Sequence, residues 1–412
     1  MEISKTDANS FVQEIDIPKK GFAEDTPVYD GRIKNVQDIE VGDVVMGDDS
    51  TPRSVLTINE GKYDMYKITH NNGCSYTVAG GNMLCLRYSP NKIIKHYPNL
   101  HSYRVEYFDN QEIRTRSKTF TYNINSSNSR DIMLNKATEY FNSIEEDKNC
   151  QTSVKEYLEF NRSMKKGLKG YSSSGVNFSC EFDFDPYIDF DPYIIGYWLG
   201  DGSSAQSRIT TQDSTVLKYL STTLPNSNCY LQYISRYDYR INGIHRQNEF
   251  LQTLKRHYMI NNKHIPFMYK CRSREVRMVL LAGLIDSDGY LHGGGIYEIS
   301  QTTKHERLVQ DMIFLIKSLG FQCSSTLRKT SYTYKGEVRT KLSYRIIFSG
   351  SGIEEIPVKV KRKKSEPRRQ IKDALVSGIT VENKAVGNFY NFIVDGNGKL
   401  ILGNFIVACS GQ

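Results

Sequence analysis

The sequence lacks any apolar run long enough to cross a membrane. The longest such run lies around Met278 to Ile285, whereas a spanning helix needs about 20 consecutive apolar residues. The first ten residues, MEISKTDANS, are polar and contain no apolar core of the kind that defines a signal peptide. We therefore expect a protein that is neither secreted nor bound to a membrane.

The sequence also lacks clustered cysteines. Its eight cysteines are scattered along the chain, and no two of them form a C-x-x-C pair. This spacing argues against the usual zinc ligand patterns and against a framework of disulfides. We therefore expect reduced cysteines in a reducing compartment.

The charge balance is mildly basic. Lysine and arginine number 54 against 46 acidic residues, and the resulting net charge of +8 suits a polyanionic partner such as nucleic acid. Hydrophobic residues make up 39% and charged residues 24%, as in ordinary globular proteins. A chain of 412 residues exceeds one typical domain, so we expect two or three domains.

One nine-residue pattern occurs twice. The first copy, IIGYWLGDG, spans residues 194–202, and the second, LAGLIDSDG, spans residues 281–289. Within residues 186–350, each copy is followed by the same order of predicted strands and helices. This repetition predicts two similar halves related by an approximate two-fold axis within one chain, and we expect a monomer.

Small residues inside each copy favour close packing of two helices. Gly196 and Gly200 lie four residues apart on one helix face, and the second copy has small residues at both equivalent positions. If the helices pair side by side, Asp201 and Asp288 meet at their carboxyl ends. Two acids there oppose the helix dipoles and repel each other, which a divalent cation with oxygen ligands, such as Mg²⁺, would balance.

The two copies resemble the paired motifs of the LAGLIDADG homing endonucleases, and the second copy matches that motif in eight of nine letters. The surrounding sequence, including NKHIPFMYK, is similar to the fungal vacuolar-ATPase inteins and the yeast mating-type switching endonucleases. The resemblance implies a duplicated α/β domain, with the order αββαββα in each half, that straddles DNA. It also implies hydrolysis of phosphodiester bonds with two or more Mg²⁺ ions.

The resemblance extends to individual residues of the expected active site. The residues that it assigns to metal binding are Asp201, Asp288, Gly200 and Ser287. It also implies one catalytic lysine in each half, near the scissile phosphates. Lys263 matches this position in the first half. In the second half Lys364 fits best, and Lys363, which we otherwise assign to DNA binding, fits nearly as well.

The two ends of the chain resemble a second kind of domain. Residues 22–49 and 388–409 are similar to the opening and closing blocks of an intein, which implies an all-β Hint domain formed from both chain ends. Between them, residues 88 to 185 are expected to be irregular. The expected domains are a leader at 1–20, the Hint domain at 21–87 and 371–408, a DNA-recognition insertion at 88–185, the endonuclease domain at 186–370 and a flank at 409–412.

Most residues that protein splicing requires are missing from their expected positions. Gly21 replaces the first nucleophile, and Asn82 replaces the histidine of the second block. Val407 and Ala408 stand where a histidine and the terminal asparagine are expected, so only the acceptor Cys409 remains. We therefore predict a Hint domain that does not splice, either through natural loss or through deliberate mutation.

Basic residues of the insertion and of the predicted strands are candidates for contacts with DNA. They are Arg104, Arg114, Arg116 and Lys118 in the insertion, and Arg236, Arg240, Arg328 and Lys363 in the endonuclease domain. The alternative for the residues of the insertion is a solvated loop with tyrosines packed on strands. The expected partner is double-stranded DNA with a long specific target, which implies a nuclear location.

Three functions are compatible with the sequence. The first is a Mg²⁺-dependent, site-specific double-strand DNA endonuclease on a Hint scaffold that no longer splices. The second is an intein precursor with mutated splicing residues, and the third is a DNA-binding protein with an inactive nuclease. The intact Asp201 and Asp288 favour the first function over the third.

Overall fold

The computed structural model describes residues 19–29, 33–126, 128–178, 188–245, 247–334 and 337–411. Of the expected leader, only Lys19 and Lys20 lie within the described residues. No described helix is both long enough and apolar enough to span a membrane.

Helices and strands alternate unevenly along the described chain. The α-helices are α1 Ser129–Ser143, α2 Val154–Glu159, α3 Arg162–Gly167, α4 Pro192–Asp201, α5 Ser214–Thr223, α6 Glu249–Arg256, α7 Phe267–Lys270, α8 Arg274–Asp288 and α9 Glu306–Ser318. The strands before α4 are β1 Phe22–Ala23, β2 Pro27–Tyr29, β3 Ile33–Asn35, β4 Val44–Met46, β5 Pro52–His70, β6 Ser75–Ala79, β7 Met83–Tyr88, β8 Ile93–Tyr97, β9 Ser102–Asp109, β10 Arg114–Thr121, β11 Asn149–Ser153 and β12 Leu168–Tyr171. The later strands are β13 Arg208–Thr210, β14 Cys229–Ser235, β15 Asp238–Gly243, β16 Gly289–His292, β17 Ile296–Thr302, β18 Gln322–Tyr334, β19 Glu337–Ser349, β20 Val376–Ser377, β21 Ile379–Val394, β22 Lys399–Ile401 and β23 Val407–Cys409.

A long antiparallel ribbon joins the two ends of the chain. β5 and β21 pair along most of their length, and β1 pairs with both β21 and β6. Alternate side chains of these strands, including Ile68, Val78 and Phe392, are buried in one apolar core. Strand β21, near one end of the chain, therefore shares one sheet and one core with β1, β4, β5 and β6, near the other end.

Residues 88–126 and 128–178, the described part of the expected insertion, contain regular structure, so the expectation that they are irregular is wrong. β8, β9 and β10 form an antiparallel sheet, and α1 packs against it through Ala137. The polar stretch INSSNS has the composition of a loop, yet its last residue, Ser129, begins α1, so composition hid the start of this helix. β11 and β12 pair with β7, so one sheet crosses the expected domain boundary.

Residues 188–360 fold around two central helices. α4 and α8 pack against each other, and each is followed by an antiparallel sheet, β13–β15–β14 after α4 and β16–β17–β19–β18 after α8. Their apolar side chains form a single core, in which Trp198 and Leu280 are fully buried. One continuous core means that the two halves stabilise each other.

The two halves are similar but not identical. In the first half, an isolated bridge between Gly202 and Ile209 stands where the second half has strand β16. After β19, the second half has two 3₁₀ turns, Ile353–Glu355 and Lys361–Lys363, where the first half has helix α6. Neither half therefore follows the order αββαββα strictly.

One disulfide corrects the expectation that all cysteines are reduced. Cys85 in β7 is bonded to Cys409 in β23, although the two residues are 324 positions apart in the sequence. The bond ties the C-terminal strand to the sheet that contains β7. The spacing of the cysteines does not predict this pair, because only folding brings the two strands together.

Candidate active site

Two glycines allow the backbones of α4 and α8 to touch. A Cβ atom added to Gly196 would lie 2.1 Å from the carbonyl oxygen of Leu280, and one added to Gly283 would lie 2.2 Å from that of Tyr193. Both distances are far below van der Waals contact, so a side chain at either position would push the helices apart. The helix contact therefore depends on glycine at these positions.

This contact continues to the carboxyl ends of the helices. α4 ends at Asp201 and α8 ends at Asp288. A Cβ atom added to Gly200 would lie 3.2 Å from Oδ2 of Asp288 and 2.0 Å from Oγ of Ser287. The two acidic helix ends thus lie side by side, in the arrangement that the repeated pattern predicts.

Burial and repulsion act on the two carboxylates. Burial, followed by the charge of Asp201, raises the pKa of Asp288 to about 6. Burial also raises the pKa of Asp201, against the opposing effect of two nearby lysines. Gln301, which the sequence analysis missed, donates a 3.2 Å hydrogen bond to Oδ2 of Asp288. Two desolvated carboxylates at the negative ends of helix dipoles form a site that favours a cation.

A lysine caps each of the two helix ends, and Lys263 is buried whereas Lys363 is half-buried. Nζ of Lys263 donates to three carbonyl oxygens at the end of α4, and Nζ of Lys363 does the same at α8, all at 2.8 to 3.1 Å. The acceptors are the carbonyls of Leu199, Gly200 and Gly202 for the first lysine and of Ile285, Asp286 and Ser287 for the second. These carbonyls carry the negative end of each dipole, which stabilises an ammonium group. Burial nevertheless lowers the pKa of both lysines, that of Lys263 to about 8.

The structure corrects the choice between two lysines of the run KRKK. Lys363 reaches the end of α8, whereas the side chain of Lys364, the residue expected there, is exposed. The 3₁₀ turn Lys361–Lys363 decides which basic side chain points inward. Four consecutive basic residues contain no periodicity that distinguishes them in the sequence.

The donor set at the helix ends fits a hard divalent cation. Asp201 and Asp288 offer carboxylate oxygens, which suit Mg²⁺ together with water and phosphate oxygens. Among the described residues, no group of three or more histidine, cysteine, aspartate or glutamate side chains is arranged to hold a metal. The carbonyls of Gly200 and Ser287, expected as further ligands, each accept a 3.1 Å hydrogen bond from a lysine.

The basic residues expected to contact DNA lie mainly on strands. Arg104 and Lys118 stack over tyrosine rings, and Arg114 and Arg116 pair with acidic residues near the turn between β9 and β10. Arg236 lies in the turn between β14 and β15, and Arg240 lies on β15. The insertion residues thus belong to a sheet rather than to a solvated loop.

A charged cluster lies on the sheet of the second half. Glu298 accepts a 2.6 Å hydrogen bond from Arg345, and the ring of His292 lies 2.8 Å away. Arg328, expected to contact DNA, is 3.6 Å from the same carboxylate. The hydrogen bond from Arg345, the largest effect, lowers the pKa of Glu298 to about 2. Glu298 alternates along β17 with core-facing residues, so the cluster lies on the face away from the core.

The expected splicing positions lie in the β-rich part of the chain. The N–H of Gly21 donates to Oδ1 of Asn82 at 3.1 Å, and both residues are buried. β23 consists of Val407, Ala408 and Cys409, all buried. Because its sulfur is bonded to Cys85, Cys409 has no free thiol.

Two family models match separate parts of this chain. The model for a Hint domain associated with homing endonucleases matches residues 21–168, and the homing endonuclease model matches residues 264–370. The second match includes Asp288 and Lys363. It does not include Asp201, and Lys263 lies directly before its first residue.

Similar proteins cover the chain only in part. The replicative DNA helicase DnaB of Mycobacterium intracellulare is 30% identical over 169 residues, which cover 41% of this chain and 24% of that protein. The homothallic switching endonuclease of Saccharomyces cerevisiae is 24% identical over 269 residues, which cover 54% of this chain and 44% of that protein. The chain thus spans less than half the length of either relative.

A solved structure with a short similar region is the gp41-1 intein. It is 20% identical, with 17% of this chain and 69% of that chain covered and a TM-score of 0.16, too low to compare folds. The two family matches and the switching endonuclease are therefore the informative relatives. They make this chain a relative of the intein-associated homing endonucleases, with a Hint domain in its N-terminal part and a homing endonuclease domain in its C-terminal part.

Proposed function

We propose that the chain is a site-specific, double-strand DNA endonuclease of the LAGLIDADG kind. The observation that carries this proposal is the meeting of two acidic helix ends, Asp201 and Asp288, each capped by a lysine that donates to the last carbonyls of the helix. Hydrolysis of a phosphodiester requires positive charge at the phosphate and an activated water. The homing endonuclease match and the similarity to the switching endonuclease support the same activity.

The side chains at the helix ends have complementary tasks. Asp201 and Asp288 would hold Mg²⁺, which supplies charge that neutralises the phosphate and lowers the pKa of a bound water. Lys263 and Lys363 each present an ammonium beside the carboxylates, where it stabilises charge that develops on the phosphate. Because each half has one lysine, the site is suited to attack both strands of a duplex.

The partner that we propose is double-stranded DNA with a long target. Each half offers one sheet, and the cluster around Glu298 presents arginines on the face away from the core. The net charge of +8 favours association with the DNA backbone. Since both halves belong to one chain, we propose that the protein acts as a monomer. We also propose that it acts in the nucleus, where its DNA target would lie.

We also propose that the Hint domain does not splice. Gly21 has no nucleophile, and a Cβ atom there would lie 2.8 Å from the ring of Phe389, at a backbone φ of +142°. This backbone suits glycine, which favours natural loss over deliberate mutation. Ala408 has no side-chain amide to cyclise, and Cys409 has no free thiol.

The splicing proposal is tested by the mass of the purified chain. The full-length product of 47.3 kDa should persist without a shortened form. The double variant Gly21→Cys with Ala408→Asn should remain unspliced as well, because the glycine-adapted backbone and the missing histidines are not restored. Efficient splicing of this variant would contradict natural loss.

The endonuclease proposal is tested with a library of circular plasmids that carry randomised inserts. In Mg²⁺ the purified chain should linearise a subset of plasmids, and sequencing of the ends should define one target. EDTA should abolish cutting. The variants Asp201→Asn and Asp288→Asn should each slow cleavage by about 100-fold or more while they still bind the target.

A matched control separates the site from general charge effects. Asp64→Asn removes an exposed carboxylate from β5 and should leave cleavage unchanged. A wild-type chain that binds one target tightly, yet never nicks or linearises it in Mg²⁺, would instead support the inactive nuclease.

A further inference from the structure

A third aspartate of the repeated pattern is buried behind the helix ends. Asp286 is 4% exposed, and its carboxylate accepts a 2.8 Å hydrogen bond from the hydroxyl of Tyr193. It also accepts backbone N–H groups of Lys359 at 2.6 Å and of Val360 at 3.3 Å. A buried carboxylate therefore fixes the backbone immediately before the turn that carries Lys363.

The segment that carries Lys263 is anchored by a carboxylate of α9, a helix of the second half. Asp311 of α9 is 7% exposed, and its Oδ2 accepts the N–H of Ile265 at 2.9 Å. Its Oδ1 accepts a 2.5 Å hydrogen bond from Nζ of Lys270. Ile265 lies two residues after Lys263, so this carboxylate fixes the backbone beside the other capping lysine.

The two anchors are not equivalent by symmetry. The position of Asp286 in the second copy of the pattern corresponds to Leu199 in the first copy, which is buried in the apolar core. A leucine cannot accept an N–H, so the first half needs another acceptor, and α9 provides it. Each lysine segment therefore depends on its own buried aspartate.

We propose that Asp286 and Asp311 are positioning residues, each for cleavage of a different DNA strand, a role that rests on the proposed endonuclease function. Loss of the Asp286 carboxylate leaves the N–H groups of Lys359 and Val360 without this acceptor and releases the segment that holds Lys363. Loss of the Asp311 carboxylate leaves the N–H of Ile265 and the ammonium of Lys270 without this acceptor and releases the segment beside Lys263. Since each lysine serves one half, each loss slows one strand and spares the other.

The test uses a supercoiled plasmid with the selected target, full-length protein and Mg²⁺. Asp286→Leu, which copies the residue of the first half, should accumulate nicked circles, with one strand cut about 10- to 100-fold more slowly. Asp311→Leu should also accumulate nicked circles, but primer extension should map the surviving nick to the opposite strand. Asp286→Asn keeps an acceptor oxygen and should restore much of the lost rate.

A second measurement reports on the anchor without cleavage. Hydrogen exchange of the amides of Lys359 and Val360 should be faster in Asp286→Leu than in the wild type, whereas the amide of Ile265 should be unchanged. The positioning role is wrong if the wild-type chain cuts both strands and Asp286→Leu and Asp311→Leu each slow both strands equally. It is also wrong if the two variants slow the same strand. If the wild type itself never cuts, the proposed function fails and the positioning role fails with it.

Discussion

At the scale of single residues, the site depends on charges that burial disfavours. Asp201 and Asp288 lie beside each other with raised pKa values, and the two capping lysines have lowered ones. Each of these groups would be more easily ionised in water. The fold therefore holds a charge arrangement that is unfavourable for the protein alone and suited to a cation and a phosphate.

The first residue-scale prediction concerns Asp288→Asn and stability. The folded pKa of about 6 exceeds the ordinary 3.8, so the unfolded chain ionises first as pH rises, and stability is lost between about pH 4 and pH 6. At pH 7.5 in EDTA the variant should therefore unfold at a higher temperature, with a gain of about 1–3 kcal/mol. Differential scanning calorimetry of the wild type and the variant measures this difference in unfolding temperature.

The control for this prediction is pH itself. The advantage of Asp288→Asn should shrink as pH falls from about 6 towards 4, because the wild-type carboxyl is then protonated in the folded state. Added Mg²⁺ should raise the unfolding temperature of the wild type more than that of the variant. A variant that is less stable than the wild type at pH 7.5 would contradict the repulsion described here.

At the scale of elements, the contact of α4 with α8 should tolerate no added side chain. Gly283→Ala would place a Cβ atom 2.2 Å from the carbonyl oxygen of Tyr193 and 2.7 Å from the amide nitrogen of Tyr197. The helices must separate, so we expect a loss of about 1–3 kcal/mol in stability and slower cleavage. Urea unfolding and the plasmid assay measure the two effects.

A matched glycine provides the control. A Cβ atom added to Gly293, in the turn between β16 and β17, would meet no atom within 4 Å. Gly293→Ala should leave both stability and cleavage nearly unchanged. Equal losses in the two variants would mean that the helix contact is not the reason for the glycine at 283.

The sheet after α8 carries a prediction about specificity. Glu298 forms ion pairs with Arg345 and Arg328. Glu298→Gln should therefore release both guanidinium groups and lower the base specificity in one half-site. Cleavage of a library randomised around the selected target should show relaxed preference at a few adjacent positions. The other half-site should keep its preference, and a uniform loss across the target would contradict this role.

At the scale of the whole molecule, the disulfide fastens the C-terminal strand to the first domain. Replacing both Cys85 and Cys409 with alanine should lower stability by about 2–5 kcal/mol, because the unfolded chain loses a cross-link between distant segments. Thermal unfolding with and without dithiothreitol measures the effect. The double variant should be insensitive to dithiothreitol, and a wild type that is equally insensitive would contradict a stabilising bond.

Much of the site could be predicted from the sequence because its signal is local. The repeat contains both the glycines that let two helices touch and the acids that end them, at fixed spacing, so Asp201, Asp288 and their helices follow from the pattern. Lys263 lies in the stretch NKHIPFMYK, whose resemblance to homing endonucleases indicates the role of this lysine. The missing splicing groups at Gly21 and Ala408 can also be predicted from the sequence, because neither residue type has a reactive side chain.

Only the tertiary structure decided the features that depend on contacts between distant segments. The inward position of Lys363 rather than Lys364 follows from one turn, and the anchors Asp286 and Asp311 follow from backbone groups that the fold brings to them. The disulfide likewise joins strands 324 residues apart. A sequence records which groups are present, whereas hydrogen bonds and cross-links between remote segments exist only once the chain has folded.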